Sequence, residues 1–109
     1  MKLNIYEKKE VVKTYEAETY ELMFGTVEDI LRLIKIDDMK SGSDTEIIKM
    51  VGSMLIGGLN DVKFLLFDMF EGLTDDELRN ARLSEIAVVL VDVVKFAIIE
   101  MNKNITSKN

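Results

Sequence analysis

At 109 residues the chain has the length of one domain, enough to bury well over half of its unfolded surface. It holds no His, Cys, Trp or Pro, seven Met, 48% apolar residues, and 20 acidic against 14 basic side chains for a net charge of −6. That inventory excludes a His/Cys zinc site and a disulfide framework, opposes generic phosphate binding, and removes the usual base and nucleophile pairs of an enzyme.

Leu3 and Ile5 alternate with Lys2, Asn4 and Tyr6, and Val11 to Tyr15 is a second β-favouring run. With Glu7-Lys8-Lys9-Glu10 between them they predict a short β-hairpin over 1–16, of unassigned turn type because no Asn-Gly or Asp-Gly is present. The N-terminus alternates charged and apolar residues, unlike a signal peptide. Without cysteines or a signal peptide, the expected location is the cytoplasm.

A helical body follows over 19–101. Thr26, with Asp29 three residues later, predicts a helix start. Val27, Ile30, Leu31 and Ile34 then share one helical face. Asp37 to Asp44 is a polar loop. Its Gly42 falls at the sixth position of a calcium loop, but Met39 and Ile48 occupy the third and twelfth positions, where oxygen ligands are needed. Ser43 and Glu46 form a capping pair for the next helix, whose apolar face is predicted to hold Ile47, Ile48, Val51, Met54, Leu55 and Leu59. Gly57-Gly58 weakens or bends it, at about 1 kcal/mol per glycine relative to Ala. No Gly-Lys-Ser/Thr follows the glycines, so they form no phosphate cradle.

Asn60 is the expected cap of a segment running to Glu71, apolar nearly all round, with Gly72 as its stop. Thr74 and Glu77 form the clearest capping box and open a short helix to Ala81. The last helix starts near Ser84. From Ile86 to Ile99, 12 of 14 residues are apolar, a stretch shorter than the roughly 20 residues that span a bilayer. Glu85, Asp92, Lys95 and Lys103 mark its polar stripe, within which Val88, Phe96 and Ile99 also fall, and Asp92 is expected to pair with Lys95. The residues 102–109 read as a polar, frayed tail. The fold class is mainly α: a small domain of four to five helices with an N-terminal β-hairpin.

The positive functional signal is a set of Met and aromatic residues. Met50, Met54, Phe64, Phe67, Met69 and Phe70 lie within 21 positions. Such side chains suit surfaces that accept varied apolar partners, although at helical spacing they equally form plain core. Two features favour binding. The apolar residues exceed what one face of each helix needs, and Phe64 and Phe96 fall on the charged sides.

The order hairpin, then Phe24-Gly25-Thr26-Val27-Glu28-Asp29-Ile30-Leu31, then Phe70-Glu71-Gly72-Leu73-Thr74-Asp75-Asp76-Glu77-Leu78, then an apolar last helix resembles the tail assembly chaperones of long-tailed phages and prophages of Gram-positive bacteria. The resemblance implies a non-enzymatic protein without cofactors. Such chaperones bind the aggregation-prone tape measure protein, recruit tail tube subunits around it, and leave before the virion is finished. Many exist in two forms, the longer made by a translational frameshift; the ending Ser107-Lys108-Asn109 is compatible with the shorter. Members tend to self-associate. On periodicity alone, Met50, Met54, Phe64, Phe67 and Phe70 are the expected partner contacts, and Phe96 and Ile99 the expected self-association contacts. A competing reading is an acidic nucleic-acid mimic that inhibits a host protein, because Glu16 to Asp38 holds seven acids against Arg32 and Lys35. A plain helical adaptor is the third.

Overall fold

A computed structural model describes residues 1–34 and 43–106, the last six by backbone alone. Strands β1 (Lys2–Glu7) and β2 (Glu10–Glu16) form an antiparallel hairpin with Leu3 opposite Tyr15 and Ile5 opposite Lys13. The register shifts after Ile5, leaving Val12 as a bulge. The turn residues Lys8 (φ 51°) and Lys9 (φ 70°) are both left-handed, as a type I′ turn requires. Lysine pays sterically for that conformation, which is why the turn carries no sequence signature. Leu3, Ile5 and Tyr15 are the buried positions of the alternating pattern.

The outer edge of β1 is covered from within the chain. Ile5 bridges Ala81, the Tyr6 amide donates to the Asn80 carbonyl (2.9 Å), and the Asn4 amide donates to Glu85 Oε1 (3.3 Å). The hairpin therefore packs on its own domain.

A 3-10 turn (Thr19–Glu21) leads to five α-helices among the described residues: α1 (Phe24–Leu33), α2 (Asp44–Gly57), α3 (Leu59–Met69), α4 (Asp75–Leu78) and α5 (Leu83–Thr106). The protein is a mainly α domain with an N-terminal two-stranded hairpin. Helix α5 is the central post. Its buried stripe of Val89, Leu90, Val93, Val94, Ala97 and Ile98 repeats at helical spacing, and it packs against α1, α2, β1 and the 3-10 turn.

Of the three capping pairs read at three-residue spacing, two hold and Thr26 with Asp29 does not. Ser43 caps α2 by accepting from the Glu46 amide (3.3 Å), and Thr74 and Glu77 form a reciprocal capping box on α4. Gly57-Gly58 breaks the chain into two helices that diverge by 109°. Gly58 is both the last cap of α2 and the first of α3, and a Cβ there would meet the Met54 carbonyl oxygen at 3.4 Å.

Other starts and pairs differ from expectation. Helix α1 begins at Phe24 with Met23 as its cap, and Thr26 is buried in its first turn. Leu22 and Val27 occupy the N′ and N4 positions of a hydrophobic staple and both pack on the core, which sets the entry of the helix one turn early. Asn60 is not a cap, because the turn at Gly58 already starts α3. Helix α3 stops at Met69, and the chain reverses at Gly72 (φ 88°). Ile48 and Leu59 are exposed instead of lining the buried face of α2. Lys95 reaches Asp44 (3.0 Å), not Asp92, and so ties α5 to the start of α2. The backbone of α5 continues through Thr106, past the expected end at Met101. Half of the tested calcium loop, 37–42, lies outside the described residues, as do 107–109.

Candidate functional site

The expected partner contacts separate into two groups. Met54 and Phe70 are core, at 3% and 1% exposure. Phe70 sits edge-on to Tyr15 with ring centroids 6.4 Å apart, beneath the hairpin, and Met54 is the floor under the α2–α3 corner. Periodicity places these side chains on faces, but only packing shows that the faces are covered. Phe64 is 67% exposed, whereas Met50 and Phe67 are half-buried.

Met50 and Met54 line a cleft of about 620 Å³ between the end of α1 and the α2–α3 corner. Leu33 and Ile34 form its other apolar wall, and Glu46, Lys49 and Asp61 bring charges to it. Asp61, Phe64 and Phe67 then step along α3 at three-residue intervals away from that cleft. An apolar hollow beside exposed aromatic carbon can take apolar side chains from a partner helix. Ser53 also lines the cleft.

The expected self-association pair lies on the outer face of α5. Ile99 is 58% exposed and Phe96 half-buried, with Val88 also exposed on that helix. Sequence reasoning missed other exposed apolar residues: Ile56 at the α2–α3 corner, and Tyr20, Met23 and Phe24 at the entry to α1. The last three have no helical period, so their only signal is composition.

The perturbed titratable groups belong to the hairpin's anchorage. Glu77 Oε1 accepts from Tyr15 Oη (2.5 Å) and from the amide and hydroxyl of Thr74 (3.1 and 3.2 Å), while Oε2 faces Lys13 Nζ at 3.1 Å. The Tyr15 hydrogen bond, with Lys13 and the Thr74 amide, holds the Glu77 carboxyl down at about 2. A carboxylate that acidic is a poor proton acceptor and no proton donor at neutral pH. Tyr6 donates to Glu85, which raises the tyrosine above its ordinary value, and its ring carries the Arg82 guanidinium at 4.1 Å. Both arrangements fasten β1 and β2 to α4 and α5. Among the described residues no group of three or more His, Cys, Asp or Glu is placed to hold a metal ion.

No single described helix is both long and apolar enough to cross a membrane. No protein-family model, curated protein or solved structure matches the chain.

Proposed function

We propose that this protein is a non-enzymatic assembly chaperone for phage tails, which covers apolar stripes of the tape measure protein and helps recruit tail tube subunits in the host cytoplasm. The observation that carries the reading is Phe64, 67% exposed on α3 and one helical turn beyond Asp61 of the Met50 cleft. Phe70 is buried whereas Phe64 is left in water, where a partner's apolar surface would cover it. A tape measure protein is a long helical chain whose apolar stripe needs cover, and an aromatic residue next to a Met-walled hollow suits helix-in-groove contact. Coating by many copies multiplies modest single contacts through avidity, and Phe96 and Ile99 on α5 serve contacts between copies. The net charge of −6 keeps the coated complex dispersed.

Co-expression with the tape measure and tail tube proteins tests it. The expected result is co-purification of the tape measure protein that survives high salt and is lost in Phe64→Asp. Retention by Phe64→Asp, or no association with either tail protein, refutes the reading.

One observation favours the acidic-mimic alternative: Glu16, Glu18, Glu21, Glu28 and Asp29 are all exposed. That reading requires a nucleic-acid-binding partner whose capture is lost as salt rises.

A further inference from the structure

The entry to α1 combines two features that neither stability nor the cleft explains. Tyr20, Met23 and Phe24 are 75%, 76% and 79% exposed, within five residues of chain. The local backbone makes this exposure firm. Leu22 and Val27 take the inward places of the staple, so the 3-10 turn and the first turn of α1 point their remaining apolar side chains away from the core. Met23 stands at the N-cap and makes no side-chain cap hydrogen bond, and the first turn of α1 contains no acid. A Ser or Asp at that cap would stabilise the helix by about 1 kcal/mol. The segment thus forgoes a cap and exposes three large apolar side chains at once.

The side chains of this stretch of chain carry charge of one sign, and the nearby positive groups are the Met1 ammonium, which donates to the Ala17 carbonyl (2.7 Å), and Lys2 on Glu16. From Thr14 to Leu31 the chain carries Glu16, Glu18, Glu21, Glu28 and Asp29, and no Lys or Arg. All five acids are exposed. Glu16 faces Lys2 at 3.4 Å and Glu28 faces Arg32 at 3.8 Å; among the described residues Glu18, Glu21 and Asp29 have no cationic partner. The occupant must therefore offer apolar atoms beside positive charge. A nucleic acid or an anionic membrane is repelled. A second copy of the chain would bring the same acids against these. A neutral apolar surface would cover carboxylates without matching them.

We infer that the Tyr20–Phe24 knuckle docks a basic amphipathic helix, with Lys or Arg beside an apolar stripe. Tyr20, Met23 and Phe24 cover the stripe, and Glu18 and Glu21 meet the cations. The site is distinct from the Met50–Phe64 surface and does not depend on the tail-assembly reading.

The test uses the full chain and two synthetic amphipathic peptides with the same Leu face, one with Lys and one with Glu on its polar face, followed by fluorescence anisotropy. The Lys peptide is expected to bind, and the Glu peptide to bind at least about tenfold more weakly. Tyr20→Ser with Phe24→Ser is expected to weaken the Lys peptide about tenfold or more, the scale of a lost anchor. Glu18→Gln with Glu21→Gln is expected to weaken it and flatten its salt dependence. Phe64→Ser is expected to leave it unchanged. All of these side chains are exposed, so an unchanged circular dichroism spectrum and thermal midpoint confirm that each variant is folded. Failure of both peptides to bind, equal binding of the two, or full binding to the Tyr20/Phe24 variant overturns the inference; the last result would show charge alone at work. Loss in Phe64→Ser with retention in the Tyr20/Phe24 variant also overturns it, by moving the contact to α3. None of these results bears on whether the chain binds a tape measure protein.

Discussion

The two sides of this molecule are held by different physics. Where the hairpin meets α4 and α5, every strong feature is directional: a backbone bridge at Ile5 and Ala81, a tyrosine on Glu77, another on Glu85, a capping box, and an arginine over Tyr6. Around α1 and the α2–α3 corner the features are apolar and incomplete: an uncapped helix start, a glycine break, a cleft, and Phe24, Ile56 and Phe64 in water. Directional contacts fix one geometry, whereas exposed apolar carbon leaves the choice of neighbour open. The first region is fixed by directional contacts, and the second carries the surface on which the proposed contacts lie.

The largest expected effect sharpens this contrast with two phenylalanines on the same stretch of chain. Phe70→Ala empties a fully buried site under Tyr15 and should cost about 3–5 kcal/mol. Phe64→Ala should stay within about 0.5 kcal/mol, because its ring is already largely in water. Urea denaturation of both variants measures the difference. Near-equal losses would mean that Phe64 is a structural residue, and the partner surface on α3 would lose its main support.

A smaller effect is expected at the junction between α3 and α4. Gly72 has φ 88°, and nothing lies within 4 Å of the place its Cβ would occupy. Gly72→Ala therefore probes backbone conformation without a clash and should destabilise by about 1–2 kcal/mol. The Gly72 carbonyl also faces Tyr15 Oη at 3.1 Å, so a shift of the turn would loosen the hairpin's anchor. A neutral Gly72→Ala, read by the same denaturation, would show that the turn relaxes without cost and that the anchorage is less rigid than its geometry.

What was legible in the sequence follows the same division. Ser43 with Glu46 and Thr74 with Glu77 were readable because a cap depends on residues three apart. The hairpin followed from period-two alternation, the helical body from period 3.6, and the break from Gly57-Gly58. Tertiary choices were not readable. Helix α3 is apolar nearly all round, so periodicity alone could not say that Phe70 faces Tyr15 while Phe64 faces solvent. Lys95 has Asp92 three residues away, yet the start of α2 brings Asp44 to 3.0 Å. The Tyr20–Phe24 knuckle escaped because it follows neither period. Its signal in the sequence is the Thr14–Leu31 stretch, whose acids and aromatic residues are accompanied by no Lys or Arg.

The smallest expected effect is on pH dependence, and it tests whether the directional side is held as its geometry says. Glu77 sits at about 2 in the folded chain against an ordinary value near 4.5, mainly because Tyr15 donates to its ionised form. When pH falls below 4.5 the unfolded chain takes up a proton at this position before the folded chain does. The stability that Glu77 adds is therefore complete above about 4.5 and declines as pH falls toward 2. Glu77→Gln should flatten that part of the stability profile. Tyr15→Phe should raise the Glu77 titration midpoint toward its ordinary value, as followed by carboxyl carbon NMR. Lys13 and the Thr74 amide remain in place in that variant, so the return is expected to be partial. A midpoint that does not move would assign the lowered value to Lys13 and the capping box alone. Tyr15 would then anchor the hairpin through its ring on Phe70 and not through its hydroxyl.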